Sequence, residues 1–590
     1  MKKTQKKLSL FILSTREKKK GKMTQEVLLY ISVIISIAAL LTILARTIKQ
    51  PAIIAYLITG VIVGPLFLGF IGPGSTGASS EIVQIFAHIG VAFLLFIVGL
   101  SLDLRVLKEV GVVSAFAGFA EIAITGIIGF FIAIGIGFSS TTALYIGAAL
   151  AFSSTVVVVK ILSDKKEIDT LHGRIALGIL IVEDFVAAIA LMAIPLINSG
   201  KSLTQIGTQL GIVIALITGI FLIAIAILPK ILDYLARNQE ALFLFGIAWA
   251  LSLATLFDLA GFSIEIGALI AGMSLASSKY TLELGGRMKP LRDFFVVLFF
   301  VFFGSQLATA LSWSIIKTAL LFSVFVIIGK PIIVMSILRV FGYKKRTNFL
   351  ASSSLAQISE FSLILTLLGF TLGHIPQEVM SLAVLIAIFT IGVSSYSIYY
   401  SHNIFNKISR ALNIFEGKKH GLKVKPHAAY EVVLFGYHRI GHKIERALKK
   451  QNIPFVVVDY NPKVVLDLAR RNIDCIYGDA SDKEFLEELG LHKAHLIIST
   501  IPDLEANLAI KEKLKEMRSS AIFIATTEQP RTALDLYKQG VDYVVIPHHL
   551  GGDYIAEMIE KFNMERSHYK KKGQAHYQEL QKERNGSNYF

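Results

Sequence analysis

Long apolar stretches alternate with short polar intervals from about residue 27 to residue 400. About 20 apolar residues are enough to cross the hydrocarbon core of a bilayer as one helix. Counting such stretches predicts about thirteen membrane-spanning helices. The predicted spans cover residues 27–45, 51–71, 82–102, 110–136, 141–162, 174–197, 205–228, 241–257, 261–277, 293–309, 314–338, 348–370 and 378–400.

Composition agrees with a polytopic membrane protein. The chain has 590 residues, of which 54% are apolar and 17% charged, whereas about a quarter of the residues in soluble domains are charged. Lys and Arg gather in alternate loops, which predicts that these loops are cytoplasmic. With thirteen spans, the N-terminus then lies outside the cytoplasmic membrane and the C-terminal domain inside. The net charge of +16 is dispersed over loops and tails, which excludes a nucleic-acid-binding face.

Residues 1–22 are strongly basic, which disfavours their translocation. Met23, directly before the first span, would be a natural start. Either the basic extension is no part of the protein, or the first span inserts against its flanking charge.

Changes in composition divide the chain further. Residues 23–402 form the predicted membrane domain, 403–429 a basic cytoplasmic linker, 430–550 an α/β domain, and 551–590 a basic tail. The tail is expected to be a solvated extension, with contact to the membrane surface as the alternative.

Two adjacent acids, Glu183 and Asp184, lie in the middle of the sixth span. Charges at this depth cost at least about 2.5 kcal/mol each, so they are tolerated mainly where ions bind or protons move. Two shorter segments joined by an acidic turn are the alternative, but no Gly, Pro or Asn cluster marks a turn there. We therefore expect these carboxyls to handle ions.

The fifth and twelfth spans carry clusters of small hydroxyl residues. Ser153, Ser154 and Thr155 lie in the fifth, and Gln357 and Glu360 follow a serine run in the twelfth. Seven spans apart, the two helices cross in opposite senses, as inverted repeats with unwound helices at mid-membrane require. Close helix packing is the alternative explanation for the hydroxyl residues alone.

Other charged residues fall within predicted spans. Lys330 is expected to pair with Asp184 or Glu183 when no transported ion is bound, or else to extend its stem toward the membrane surface. Glu121 and Glu265 are expected to fix helix contacts or a cavity wall rather than to carry the ion.

After residue 430, short β-branched runs alternate with amphipathic helices, which predicts a doubly wound parallel sheet. Gly436 and Gly441 follow the first strand and open a helix, and Asp459 ends the second strand. This is the dinucleotide-binding fingerprint, except that His438 occupies the position of the middle glycine.

The sequence resembles Kef-type potassium/proton antiporters of the cation:proton antiporter superfamily. The motifs that carry the resemblance are residues 93–100, 153–155, 173–184, 267–272 and 354–361, together with the attached nucleotide-binding domain. The resemblance implies crossed broken helices, cation binding at Asp184, and a dimer built on the membrane domains.

Kef-type proteins usually carry Gln-Asp where this chain has Glu183-Asp184, and electrogenic sodium/proton relatives carry Asp-Asp. Both K+ and Na+ therefore stay open as the transported cation, and so does the number of protons exchanged.

The C-terminal domain resembles the regulatory nucleotide-binding domain of potassium channels and transporters. This implies that Asp459 holds a ribose, that Asp479 lies near the pocket, and that His438 contacts a phosphate or marks a preference for a mononucleotide. AMP, ATP and NAD(H) are the candidate regulators. A degenerate pocket that serves only dimerisation is the alternative.

Two other functions are compatible with single features of the sequence. An NAD-dependent enzyme is disfavoured because no catalytic constellation or second, substrate-binding domain accompanies the fold. A potassium channel is disfavoured because no Thr-Val-Gly-Tyr-Gly filter is present, and because mid-membrane carboxyls suit proton exchange better than a carbonyl pore.

Overall fold

The computed structural model forms two compact units, Met1–Lys419 and His420–Phe590, each described by itself below. The structure describes residues 28–72, 78–101, 112–165, 167–168, 170–197, 203–236, 238–260, 262, 264–307, 312–417, 430–437, 440–459, 462–478, 480–481 and 483–586. The predictions made for residues 1–22, His438, Asp479 and the second part of the linker (418–429) lie outside the described residues.

The first unit is helical. Its first nine described helices are α1 (Leu28–Thr47), α2 (Ala52–Val63), α3 (Ala78–Ser101), α4 (Val112–Ile136), α5 (Ser140–Ala151), α6 (Thr155–Lys165), α7 (Leu171–Ile197), α8 (Leu203–Ala226) and α9 (Leu228–Leu235). The next nine are α10 (Gln239–Leu259), α11 (Ile264–Leu275), α12 (Thr281–Ser305), α13 (Trp313–Val324), α14 (Lys330–Val340), α15 (Lys345–Ser353), α16 (Glu360–Thr371), α17 (Gln377–Tyr399) and α18 (Ser401–Ile408).

The prediction of a polytopic helical membrane domain is confirmed. Within the described residues, seven helices or continuous helix pairs are long and apolar enough to cross a membrane, or eight if the bent pair α8 and α9 forms one span. Shorter apolar helices include α2, α11 and α16. Each of the thirteen predicted stretches contains a described helix or helix pair, but the number of spans stays a prediction.

Glycines allow several of these helices to pack at backbone distance. A Cβ placed on Gly60 of α2 would lie 2.1 Å from the Val301 carbonyl oxygen of α12. A Cβ on Gly272 of α11 would lie 2.0 Å from the Phe96 carbonyl oxygen of α3. Without a hydrophobic driving force between helices in lipid, such close contacts supply the packing attraction that holds them together.

The second unit is a parallel sheet with helices between its strands. The strands are β1 (Val432–Phe435), β2 (Phe455–Asp459), β3 (Cys475–Tyr477), β4 (Leu496–Ser499), β5 (Ile522–Thr526) and β6 (Tyr543–Val545). The helices are α19 (Gly441–Lys450), α20 (Pro462–Arg470), α21 (Lys483–Leu489), α22 (Leu504–Glu516), α23 (Pro530–Lys538), α24 (Pro547–Phe562) and α25 (Arg566–Gly586).

The strand order β3-β2-β1-β4-β5-β6, with every described pair parallel, confirms the predicted doubly wound sheet. Val433 of β1 pairs with Val456 of β2 on one side and with Ile497 of β4 on the other. All three are fully buried, because helices cover both faces of a sheet built this way.

The region predicted as a tail from residue 551 forms helices α24 and α25. The straight-chain Lys, Glu and Gln residues of α25 favour a helix even without an apolar face to bury. None of the residues of α24 is buried.

Candidate ion-binding site

The first interrupted helix breaks between α5 and α6, at residues 152–154. Ser153 and Ser154 are fully buried. The backbone N–H of Ser153 donates to Oε2 of Glu183 (2.5 Å), and its hydroxyl donates to Oε1 of the same carboxylate (3.2 Å). Irregular backbone at membrane depth is tolerated only where such partners satisfy its polar groups.

The second interrupted helix breaks between α15 and α16. Ser359 caps α16 by accepting a hydrogen bond from the Phe361 N–H. Within the break, Nε2 of Gln357 donates to the Ser354 carbonyl (3.2 Å), and the Ile358 N–H donates to the Thr390 hydroxyl (3.3 Å).

The two breaks lie against each other, as the sequence predicted. The Ser154 hydroxyl donates to Oε2 of Glu360 (2.9 Å), and the Ser153 hydroxyl also approaches the Leu355 carbonyl (3.3 Å). On the far side, the Ser362 hydroxyl donates to the Ala149 carbonyl (2.5 Å). The N-terminal ends of α6 and α16 therefore both point into this contact, and helix N-termini favour negative charge.

The two acids of α7 have different surroundings. Glu183 is fully buried and accepts both hydrogen bonds from Ser153. Asp184 is only partly buried, and its Oδ2 accepts a hydrogen bond from the hydroxyl of Thr155 (2.9 Å), the first residue of α6. Of the two acids, Asp184 is the less buried.

Lys330 follows a π-helical turn, Phe325–Gly329, between α13 and α14. Its ammonium is fully buried and donates to the Ala151 carbonyl (2.5 Å), the last residue of α5. A cation at this position compensates the negative C-terminal end of α5. Such π-helical turns occur frequently at functional sites.

Of the two partners predicted for Lys330, the structure places Glu183 near its ammonium, and Glu121 is a further neighbour. Its Nζ lies 3.4 Å from Oε1 of Glu121 and 4.0 Å from Oε2 of Glu183, and no ion pair with Asp184 exists among the described residues. Full burial also excludes the alternative in which the ammonium extends to the membrane surface.

Glu121 of α4 belongs to this cluster, although the sequence indicated only a helix contact or cavity wall. It is fully buried, and its Oε1 accepts a hydrogen bond from Thr125 (2.8 Å). Its place inside a membrane helix was visible in the sequence, but its distance from Lys330 depends on how α4 packs against α14. Glu265 lies elsewhere, with its Oε1 3.9 Å from Nδ1 of His88.

A second polar cluster lies at the end of α6 and joins four segments of the chain. Glu167 accepts from Nε2 of both His172 (3.2 Å) and His402 (3.0 Å), and its Oε1 lies 2.9 Å from Nζ of Lys165. Burial alone raises the carboxyl pKa, but the bonds from both histidines and the Lys165 charge outweigh it and hold the pKa of Glu167 well below its usual range. Arg346 of α15 donates to Nδ1 of His402 (3.3 Å).

The side chains of Glu167, His172 and His402 also have the spacing of metal ligands. Because Lys165 and Arg346 already place positive charge on the ligand atoms, the geometry favours an ion-pair cluster over a metal site.

In the α/β unit, the fingerprint glycines lie where their motif requires. Gly436 has φ +84°, and a Cβ there would lie 2.6 Å from the Thr500 hydroxyl oxygen. A Cβ on Gly441 would lie 2.2 Å from the Gly436 carbonyl oxygen. Asp459 ends β2, is buried, and accepts a hydrogen bond from the Tyr437 N–H (2.8 Å). Burial raises the pKa of the Tyr437 hydroxyl to about 12.

The strand order reverses between β1 and β4. In open parallel sheets, ligands bind outside the carboxyl ends of the strands at such a reversal. The Gly436 turn lies at this point, so the unit presents the geometry of a nucleotide-binding crevice.

A helical membrane domain with two interrupted helices meeting beside paired acids, followed by a Rossmann-type domain, defines a class of membrane ion transporter with an attached nucleotide-binding domain. Residues 33–399 match the family described as sodium/hydrogen exchanger, transmembrane, and residues 432–547 match the TrkA-N domain. The chain therefore belongs to the sodium/hydrogen exchanger family and carries a TrkA-N domain.

Several relatives of this chain carry antiporter names. The putative cation/proton antiporter YbaL of Escherichia coli (strain K12) is 29% identical over 79% of this chain and 85% of its own length. The K(+) efflux antiporter 5 of Arabidopsis thaliana is 30% identical over 69% of this chain and 72% of its own length. The putative K(+) efflux antiporter KefB of Alkalimonas amylolytica is 25% identical over 84% of this chain and 75% of its own length. The resemblance to Kef-type antiporters is thereby confirmed.

Proposed function

We propose that this protein exchanges K+ for protons across the cytoplasmic membrane by alternating access, and that nucleotide binding to the cytoplasmic domain regulates the exchange. The antiporter names of its relatives support this function. The protein acts as a secondary active transporter rather than as an enzyme.

The partly buried Asp184, beside the two helix breaks, is the observation on which the proposal rests. It accepts a hydrogen bond from Thr155 and lies next to the fully buried Glu183. An uncompensated carboxylate is costly inside a membrane, so it is stable there mainly when it holds a cation or a proton. One group that binds either ligand, but not both at once, couples their opposite movements.

The neighbouring groups support Asp184 in different ways. Ser153 fixes Glu183 against the buried Lys330, so that the charges of this pair offset each other. The polar side chains of the two breaks, Ser154, Gln357 and Glu360, line the contact between the interrupted helices.

Na+ is the alternative cation. Glu183 replaces the usual Gln of Kef-type proteins, and the matched family is described as sodium/hydrogen exchanger. Selectivity is therefore part of the test.

The proposed topology has the N-terminus outside and the TrkA-N domain in the cytoplasm, with a homodimer formed by the membrane domains. AMP, ATP or NAD(H) is the proposed regulator, held by the Gly436 turn and Asp459, with His438 and Asp479 as further candidate contacts. To regulate transport, the nucleotide must bind one transport state more tightly than the other.

Proteoliposomes that contain the full chain and a pH-sensitive dye test the function. Adding K+ or Na+ to one side should drive protons in the opposite direction, and the ion that does so at the lower concentration is the substrate. Cation flux without proton counterflow would contradict antiport and indicate a channel.

A further inference from the structure

The cluster around Lys330 contains two carboxyls but only one ammonium. Two carboxyls, Glu121 and Glu183, lie within 4.0 Å of its Nζ, and all three side chains are fully buried. One ammonium compensates one carboxylate. A second ionised carboxylate would leave a net negative charge in a site without solvent, which is among the costliest arrangements in a protein.

The hydrogen bonds distinguish the two carboxyls. Both oxygens of Glu183 accept hydrogen bonds from Ser153, so neither oxygen is left without a donor. In Glu121, Oε1 accepts from Thr125 and faces Lys330, whereas Oε2 has no hydrogen-bond partner among the described residues. An ionised oxygen left in this way pays the full cost of desolvation.

We propose that Glu121 holds a proton on Oε2 and is a positioning residue of the transport site. Because Glu121 is then neutral, the positive charge of Lys330 compensates only the Glu183 carboxylate. Oε1 of Glu121 helps to hold the ammonium against the Ala151 carbonyl at the end of α5.

This inference rests on the proposed function in one respect, namely that the cluster around Lys330 supports ion exchange at Asp184. The groups that face Glu121 are Lys330 from α14, Glu183 from α7 and Thr125 from its own helix. The proton on Glu121 lets Asp184 change its ligand beside a cluster whose net charge stays at zero.

Infrared spectroscopy of the purified full chain reads the proton directly, because a protonated carboxyl has a carbonyl stretching band that a carboxylate lacks. The spectrum of wild type minus Glu121→Gln at neutral pH should show this band. Glu378→Gln, which changes an exposed carboxyl at the start of α17, is the matched control and should show none. Absence of the band from the Glu121→Gln difference would overturn the proposal.

A second variant keeps the carboxyl in place in case Glu121→Gln does not fold. Thr125→Val removes the hydrogen bond to Oε1, so the band should persist but move to higher frequency. A band unaffected by Thr125→Val would mean that it belongs to another carboxyl and would overturn the assignment.

Measured exchange rates distinguish a positioning residue from a residue that carries the ion. Glu121→Gln should still exchange ions but at a reduced rate, because the amide keeps the site neutral but does not reproduce the contacts by which the carboxyl holds Lys330. Complete loss of exchange in a folded Glu121→Gln protein would instead make Glu121 an ionised carrier. The infrared result does not depend on transport, so failure of the proposed antiport and failure of this inference are distinguishable.

Discussion

Thr155 donates a 2.9 Å hydrogen bond to Asp184, from the first residue after a helix break to an acid on the neighbouring helix α7. The adjacent Glu183 instead accepts both of its hydrogen bonds from Ser153 within the break. Two neighbouring carboxyls of similar chemistry therefore differ in exposure and in partners. This difference is the basis for proposing Asp184 as the ion carrier and Glu183 as its support.

Asp184→Asn should abolish exchange while leaving the fold intact, because an amide neither holds a transported proton nor compensates a cation. Everted membrane vesicles measure the collapse of a pH gradient when K+ or Na+ is added. Asp164→Asn is the matched control, since Asp164 forms an exposed ion pair with Lys160 at the end of α6. Vesicles of Asp184→Asn that still collapse the gradient would exclude the carrier role.

Thr155→Val should raise the KM for the cation by about tenfold or more, because it removes a hydrogen bond to a charged group. The change should fall on KM more than on the maximal rate, which the same vesicles measure over a range of cation concentrations. Thr371→Val is the control, because the Thr371 hydroxyl only donates to a carbonyl of its own helix. Equal KM values for the two variants would show that Thr155 does not contribute to cation binding.

Lys330→Gln should lower the free energy of unfolding by about 3–5 kcal/mol, the usual effect of removing one partner from a buried ion pair. It should also shift the pH dependence of transport, because a nearby cation favours the ionised form of a carboxyl. Thermal unfolding in detergent and vesicle assays at several pH values measure the two effects. Lys317→Gln, in exposed surroundings beside Trp313, is the comparison, and indistinguishable behaviour of the two variants would refute the buried role of Lys330.

Glu167→Gln should lower the Tm at neutral pH, because the carboxylate joins helices α6, α7 and α18 through Lys165, His172 and His402. The folded pKa of Glu167 lies below its ordinary value of about 4.3, so its stabilisation is complete above that pH and is lost as the pH falls through the folded pKa. The Tm difference from wild type should therefore shrink only on acidification below about pH 4.3.

The control for this effect is Glu283→Gln, which removes an i,i+4 ion pair to Arg287. Its effect at neutral pH should be small, because partly exposed pairs contribute about 0–1 kcal/mol. A Glu167→Gln effect no larger than that of Glu283→Gln would contradict the stabilising role of the cluster.

At least one of AMP, ATP and NADH should raise the Tm of the full chain, by an amount that grows with its concentration relative to its Kd. Asp459→Ala should remove the shift, because it deletes the acid at the end of β2. Asp535→Ala, on the exposed surface of α23, should keep it. If no nucleotide changes either melting or transport, dimerisation remains as the function of the domain.

Much of this architecture was predictable because its signals are local. Apolar stretches predicted the helices, hydroxyl clusters beside Glu360 and Thr155 predicted the breaks, and β-branched runs with the Gly436 turn predicted the parallel sheet. Each signal is contained within a few neighbouring residues, so the sequence displays it directly.

The partners of buried charges were less predictable. Lys330 and Glu121 are more than 200 residues apart, and only the packing of α4 against α14 brings them together. His402 reaches Glu167 from 235 residues away, and neither residue stands out in an apolar run. Long, flexible side chains have many possible partners, and tertiary packing selects one.

The hydrogen bond from Ser154 to Glu360 joins the two interrupted helices at their breaks, and the bonds from Ser153 to Leu355 and from Ser362 to Ala149 join them on either side. Sliding one helix past the other would break all three bonds in surroundings where no water replaces them. The two helices are therefore expected to travel as one rigid body, so that access changes by movement of the pair as a whole against the helices around it.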